Sequence, residues 1–178
     1  KLEMKKIIVI IPCFNEEKNI QNTSSILKEI FLDLIKKNKI SDLSLILFID
    51  DGSKDKTWKR IIDVRKENKF VKGVRFSKNF GHQQALSAGM ELANKKCDLC
   101  ITLDADLQQD PRVIEVFLNE FEKGYDVVYG VRENRNDDNI AKRLMANFFY
   151  FLMTLFKVEL IKGHADYRLI SKRAMSFI

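Results

Sequence analysis

The sequence predicts an α/β fold: a mostly parallel central sheet flanked by helices. Three observations carry that prediction. Short apolar runs alternate with stretches of helical periodicity along the chain. The apolar runs are nearly uninterrupted and rich in β-branched residues, as strands covered on both faces are. Three of them end in polar clusters, Pro12 to Glu17, Asp50 to Ser53 and Asp104 to Gln108. Strand–helix alternation implies βαβ units, and parallel strands bring their carboxyl ends to one edge, where open α/β sheets bind ligands.

Lys6 to Ile11 reads as the first buried strand, with Pro12 as its end. Asn19 is placed to cap the helix that follows, whose apolar residues Ile20, Leu27, Ile30, Phe31 and Leu34 fall on one face. Lys36, Lys37 and Lys39 close it with cations at the negative end of its dipole. Leu43 to Ile49 is the second strand, and Gly52 permits a tight turn after its acidic end. A helix with Trp58, Ile61, Ile62 and Arg65 on neighbouring positions leads to a third strand, Val71 to Phe76. The next helix is built from small residues, Ala85, Ser87, Ala88, Gly89 and Ala93, which let it approach a sheet closely. Leu99 to Leu103 is the fourth strand. Asp110-Pro111 is an N-cap and N1 pair for a helix to Lys123, and Gly124 is its C′ glycine. Asp126 to Tyr129 is the fifth strand. Glu133 to Asn139 is polar and linker-like, and Ser171 to Ile178 starts a helix that stops in mid-course.

The 178 residues suffice for a single domain with its own core, expected here to span the whole chain and to be followed by further, membrane-bound segments. A net charge of +6 suits an anionic ligand or membrane surface. No aromatic-plus-basic motif points to nucleic acid. Cys13, Cys97 and Cys100 are an odd number without framework spacing, which points to a reducing compartment. Cys97 and Cys100 lack the two nearby partners a zinc site needs. A G-x-G-x-x-G or Walker pattern is absent, which argues against dinucleotide and P-loop chemistry.

Asp104-Ala105-Asp106-Leu107-Gln108 is the centre of the reading. Two carboxylates one residue apart at the end of a buried strand are costly unless they pair or bind a cation. Their hard oxygens suit Mg²⁺ or Mn²⁺. A solvated turn before a helix is the plainer alternative. A phosphorylated ligand would need cations, for which Lys78, Arg132 and Arg168 are candidates.

Taken together, Ile-Pro-Cys-Phe-Asn-Glu-Glu, Ile-Asp-Asp-Gly-Ser-Lys-Asp-Lys-Thr, Asn-Phe-Gly-His-Gln-Gln-Ala-Leu-Ser-Ala-Gly and Asp-Ala-Asp-Leu-Gln occur in the order seen in family 2 glycosyltransferases. Gly163 to Leu169 resembles the Asp-Phe-Arg-Leu motif of the polyprenyl-phosphate branch, with Tyr167 in place of Phe. That branch includes dolichyl-phosphate mannose synthases and bactoprenol glucosyltransferases. The resemblance implies a GT-A fold and transfer of a hexose from a nucleotide-diphosphate sugar (UDP- or GDP-hexose) to a polyprenyl phosphate, with inversion and with Mg²⁺ or Mn²⁺ as cofactor. It implies that Pro12, Phe14 and Glu16 flank the nucleoside, and that Ile49, Asp50 and Asp51 hold base and ribose. Asp104, Asp106 and Gln108 would be the metal set, with Asp106 catalytic. Arg132 would meet the donor phosphates, Lys78 is a further substrate-binding cation, and Asp166 and Arg168 would serve the acceptor.

Within Ala141 to Phe156, the run Phe148 to Phe156 is densely apolar, interrupted only by Thr154, and Lys142, Arg143 and Lys157 flank it. It is too short to span a bilayer, which takes ~20 residues. The expectation is a helix lying in the interface at the cytoplasmic face of the membrane, with a core helix as alternative. Homo-oligomerisation is left open. The rival functions are transfer to a sugar hydroxyl of a cell-surface glycan, and a non-catalytic module that binds nucleotide-sugar or membrane.

Overall fold

The computed structural model describes residues 4–131 and 164–177. Its elements are β1 (Ile7–Cys13), α1 (Ile20–Lys36), β2 (Leu45–Asp50), α2 (Thr57–Glu67), β3 (Val71–Arg75), α3 (His82–Asn94), β4 (Leu99–Thr102), α4 (Val113–Glu122), β5 (Val127–Val131) and β6 (His164–Ser171), followed by one helical turn, Lys172–Met175. The strands form one sheet in the order β3-β2-β1-β4-β6-β5. β1 pairs parallel with β2 and β4, β2 pairs parallel with β3, and β4 pairs antiparallel with β6. The chain divides into two compact units. The larger holds Lys1–Val128 and Asp166–Ile178, and the smaller is Tyr129–Ala165. The apolar stretch 141–156, the linker-like 133–139 and Arg132 lie outside the described residues.

β1 is buried over its whole length because it is central, with a partner on either side. α3 covers one face of the sheet, where Ile8, Ile10, Leu47, Ile49, Cys100 and Ile170 pack against Ala85, Leu86 and Ala93. Its small residues serve as expected: a Cβ at Gly89 would lie 2.5 Å from Cγ2 of Ile10, well inside contact distance. Right-handed crossovers place α1 and α2 on the opposite face, since the chain reverses its direction of travel across the sheet after β3. There α1 buries Ile20, Leu27, Phe31 and Leu34, and Phe31 meets Phe70 edge-on at 5.4 Å. α4 joins that face through Phe117, whose ring lies 4.8 Å from Tyr167, and through Glu115, which pairs with Lys37.

Three details depart from the sequence reading. Pro12 does not end β1; the strand continues through Cys13, with Pro12 opposite Ile49. Ladder bonds of a central strand alternate between its neighbours. Ile10 accepts from the Leu103 amide and Cys13 from the Asp51 amide, so the missing N–H of Pro12 faces β4, which has already ended. Asn19 stands at the N-cap of α1, but its side chain makes no cap hydrogen bond and instead donates to Glu16 at 2.6 Å. Asp110-Pro111 forms a turn ahead of α4, which begins at Val113.

The α3–β1 contact yields the first prediction. Gly89→Val should lower stability by ~1–3 kcal/mol, because the added atoms meet a β-branched side chain of the most buried strand. The midpoint of chemical denaturation measures it, and an unchanged midpoint would show that α3 moves freely on the sheet.

Candidate active site

The strand order reverses between β1 and β4, since β1 leads outward to β2 and β3 on one side while β4 opens the other. Loops leaving two such strands diverge and leave a crevice at their carboxyl ends. A cleft of about 290 Å³ occupies that position, lined by Pro12, Phe14, Glu16, Asp51, Asp104 and Asp106 among others. The three polar clusters of the sequence therefore meet in one place.

The cleft walls are fixed by two loops laced together. The Asn15 amide donates to Ser53 Oγ at 2.9 Å, the Glu16 amide to Thr57 Oγ1 at 2.8 Å and the Glu17 amide to Asp55 at 3.2 Å. In return the Lys54 amide donates to Asn15 Oδ1 and the Lys56 amide to Glu17. Burial works against an ionised Asp55, but hydrogen bonds from Thr57 and from the Glu17 amide outweigh it and hold its carboxyl below the usual range. Asn15 has φ 57°, a left-handed conformation that asparagine tolerates, and it turns the chain from β1 into this lacing.

Behind the lacing stands the turn after β2. Asp50 is fully buried; one oxygen accepts from the Ser53 amide at 2.9 Å and the other lies 3.2 Å from Arg75 Nε. Asp51 is 2% exposed, and its two oxygens accept from the amides of Phe80 and Gly81 at 2.7 and 2.9 Å. Gly52 has φ 68°, and a Cβ there would lie 2.3 Å from the Lys78 carbonyl carbon. Backbone cannot yield to such an overlap, so glycine is required by both conformation and space.

At β4 the chain leaves the strand at Leu103. Thr23 of α1 donates to the Ala105 carbonyl at 2.7 Å and pins the loop. Asp106 is exposed and accepts from the Gln108 side-chain amide at 2.8 Å, while Asp104 accepts from Gln109 at 2.7 Å. Leu107 takes φ 52° to bring Gln108 back over Asp106. Two carboxylates on one loop, with Glu16 and Asp51 in the same cleft, are an all-oxygen donor set. Mg²⁺ commonly takes one or two carboxylates and completes its shell with water and substrate phosphate, so this set fits it. Among the described residues no three His, Cys, Asp or Glu side chains converge as a ready-made metal cluster.

The other expected residues fall elsewhere. Ile49 is fully buried in the core under α3, and neither it nor Asp50 lines the cleft. Lys78 lines a neighbouring cavity. Gln108 does not line the cleft and holds Asp106. Arg168 pairs in register with Thr102, at the carboxyl end of β4, and its Nε is buried with no hydrogen-bond partner among the described residues. The backbone of Asp166 is part of β6. The hydroxyl that Tyr167 adds reaches the Asp110 carbonyl at 3.3 Å, tying β6 to the loop before α4.

Asn79, His82, Ala85 and Cys13 also line the cleft, and residue chemistry alone did not single them out. The signal was the glycine after Phe80: Gly81, at φ 100°, turns the β3–α3 connection so that α3 starts at the cleft. Burial, with the Asp50 and Glu16 carboxylates adding to it, pushes the Cys13 thiol well up, so Cys13 presents a neutral thiol. Cys97 and Cys100 are buried, and burial raises both thiols, Cys97 to about 11.

A model of glycosyl transferase family 2 matches residues 8–175. The chain is 45% identical to the uncharacterized glycosyltransferase YkoT of Bacillus subtilis, over 95% of this chain and 50% of that protein. It is 33% identical to the bactoprenol glucosyl transferase of Shigella phage SfV, over 97% of this chain and 54% of the relative. The chain thus spans about half the length of the curated relatives it matches. Among solved structures it is similar to mannosyl-3-phosphoglycerate synthase from Rubrobacter xylanophilus, with a TM-score of 0.65 at 16% identity over 94% of this chain and 53% of that one. It is also similar to glucosyl-3-phosphoglycerate synthase from Mycobacterium tuberculosis in complex with UDP, with a TM-score of 0.63 at 18% identity over 95% and 57%. These likenesses show the GT-A fold.

The Asp51 clamp yields the second prediction. Asp51→Asn removes the charge and puts an N–H₂ where one backbone amide now donates. It should weaken binding of a nucleoside diphosphate roughly tenfold to a hundredfold, as loss of one hydrogen bond to a charged group does. Hydrogen exchange at Phe80 and Gly81 should quicken in parallel. Calorimetry with amide exchange checks both, and unchanged values in both would show that the clamp does not shape the cleft.

Proposed function

The chain belongs to glycosyl transferase family 2, and from that premise we propose that it transfers a hexose from a nucleotide-diphosphate sugar to a polyprenyl phosphate. The observation that carries the reading is the meeting of Asp104 and Asp106 with Glu16 and Asp51 in one cleft at the switch point of the sheet. The match along nearly the whole chain to a protein named bactoprenol glucosyl transferase supports the lipid acceptor.

In this reading Pro12 and Phe14 line the nucleoside side of the cleft, and Glu16 and Asp51 bound it. Asp104 and Asp106 hold Mg²⁺ or Mn²⁺, with Gln108 orienting Asp106. When bound, the cation supplies Lewis-acid stabilisation of the leaving diphosphate. Arg132 meets the donor phosphates. The acceptor attacks the anomeric carbon through a phosphate oxygen, with inversion. That oxygen is already anionic near neutral pH, so strong base catalysis is not required. The buried Nε of Arg168, without a partner among the described residues, suits the acceptor phosphate, because an unpaired buried donor is stabilised by an anion. Asp166, two residues earlier on β6, orients the acceptor or accepts its proton.

The reaction belongs at the cytoplasmic face of the membrane, where 141–156 would rest in the interface. Among the described residues no helix is long and apolar enough to cross a membrane. The direct experiment incubates the full-length protein with membranes and a panel of labelled nucleotide sugars and reads which label enters the lipid fraction.

Two variants test the roles. Asp106 is exposed and, among the described residues, bonded within its own loop, so Asp106→Ala should keep the fold and abolish transfer. EDTA should do the same to the parent protein, and full activity in either case would overturn the metal assignment. Asp166→Asn should leave nucleoside diphosphate affinity intact while slowing transfer. A normal rate in that variant would make Asp166 structural.

A further inference from the structure

A second cavity, of about 660 Å³, opens beside the donor cleft and, among the described residues, shares Asn79 alone with it. It is lined by Ser53, Lys54, Arg75, Ser77, Lys78 and Asn79 with neighbouring backbone. Among the described residues three cations and no carboxylate line it. Asp50, which is fully buried, lies against Arg75. One negative charge thus offsets one of three positive ones. Among the described residues neither Lys54 nor Lys78 has a carboxylate partner; the Lys78 ammonium lies 5.1 Å from the centre of the Phe80 ring.

The basic residues stand on a rigid frame. Arg75 donates to the Ser53 carbonyl at 3.1 Å, and its guanidinium sits 6.0 Å from the Trp58 ring centre. The Lys78 backbone is packed directly on Gly52. Gathering like charges in a concavity raises the local positive potential, which favours an anion. A guanidinium, two ammonium groups, two hydroxyls and an amide match the many acceptor oxygens of a phosphate group.

We infer that this cavity is a second anion site, separate from the donor cleft, that binds a phosphate group through Lys54, Arg75 and Lys78. The phosphate is that of a lipid headgroup or free phosphate. A headgroup held here would keep the mouth of the donor cleft at an anionic surface.

The test uses the full chain labelled with ¹⁵N. Inorganic phosphate is titrated against chloride at constant ionic strength. The amides of Ser53, Lys54, Ser77 and Asn79 should shift saturably with phosphate and not with chloride. Lys54→Ala combined with Lys78→Ala should weaken that binding about tenfold or more. Both side chains are exposed, so the melting temperature should hold; if the double variant unfolds, Lys54→Ala alone is read in the same way. Uridine diphosphate should not displace the phosphate. Co-sedimentation then separates the sources. Binding to phosphatidylglycerol vesicles but not phosphatidylcholine vesicles, lost in the double variant, assigns a headgroup; phosphate binding without any vesicle difference assigns free phosphate. Absence of saturation, shifts confined to Phe14 and Ala105, or displacement by uridine diphosphate would each overturn the inference. None of these readouts depends on sugar transfer, so failure here leaves the proposed reaction standing.

Discussion

Asp51 commits both carboxylate oxygens to the amides of Phe80 and Gly81, one residue from a turn whose Gly52 lies flat on the Lys78 backbone. A buried carboxylate is stable only when its lone pairs are met, and a buried amide only when it has an acceptor. The β2 turn and the β3–α3 connection satisfy each other and cannot move apart without exposing both. From this fixed point the start of α3 is set, and with it the positions of Asn79, His82 and Ala85 in the cleft. Asp50 works from the other side of the same turn, bonding the Ser53 amide and lying against Arg75. The adjacent acidic residues thus build the wall of the site together, Asp51 facing the cleft and Asp50 bracing it from behind.

Hydrogen bonds between the loops after β1 and β2 extend that rigidity. Each contributes only ~0.5–1.5 kcal/mol. Their effect is cooperative: Thr57 accepts from Glu16 and donates to Asp55, which accepts in turn from Glu17. Side chains that look like ligand donors in a list of motifs, such as Ser53, Asp55 and Thr57, are therefore occupied with backbone. The carboxylates left facing open space are Glu16, Asp104 and Asp106, together with the inner edge of Asp51. A site with this division has a stiff frame and few free oxygens. Such preorganisation favours charge that develops during a reaction over charge already solvated.

The charges around this edge are segregated. The cleft collects carboxylates, and the neighbouring cavity collects Lys54, Arg75 and Lys78. Among the described residues Asn79 alone is common to both. The turn at Gly52, packed on the Lys78 backbone, stands between the two linings.

The sequence by itself determined the alternation of strands and helices, the convergence of three polar strand ends, the small-residue helix α3 and the Asp104–Asp106 pair. Each rests on local chemistry: apolar periodicity, β-branched runs, glycine at positive φ and carboxylates at a strand end are written residue by residue. Only the tertiary structure decided that β1 runs on through Pro12, because that depends on where β4 stops. Only it separated Asp51, at the cleft wall, from Ile49 and Asp50, buried behind it, and moved Lys78 into a different cavity. Successive residues point to opposite sides of a chain, and which side faces ligand is set by partners far away in sequence: Arg75 for Asp50, Phe80 and Gly81 for Asp51, Thr23 for the loop carrying Asp106. Motif spacing names the residues that gather at an edge, and long-range hydrogen bonds decide which of them are left free to react.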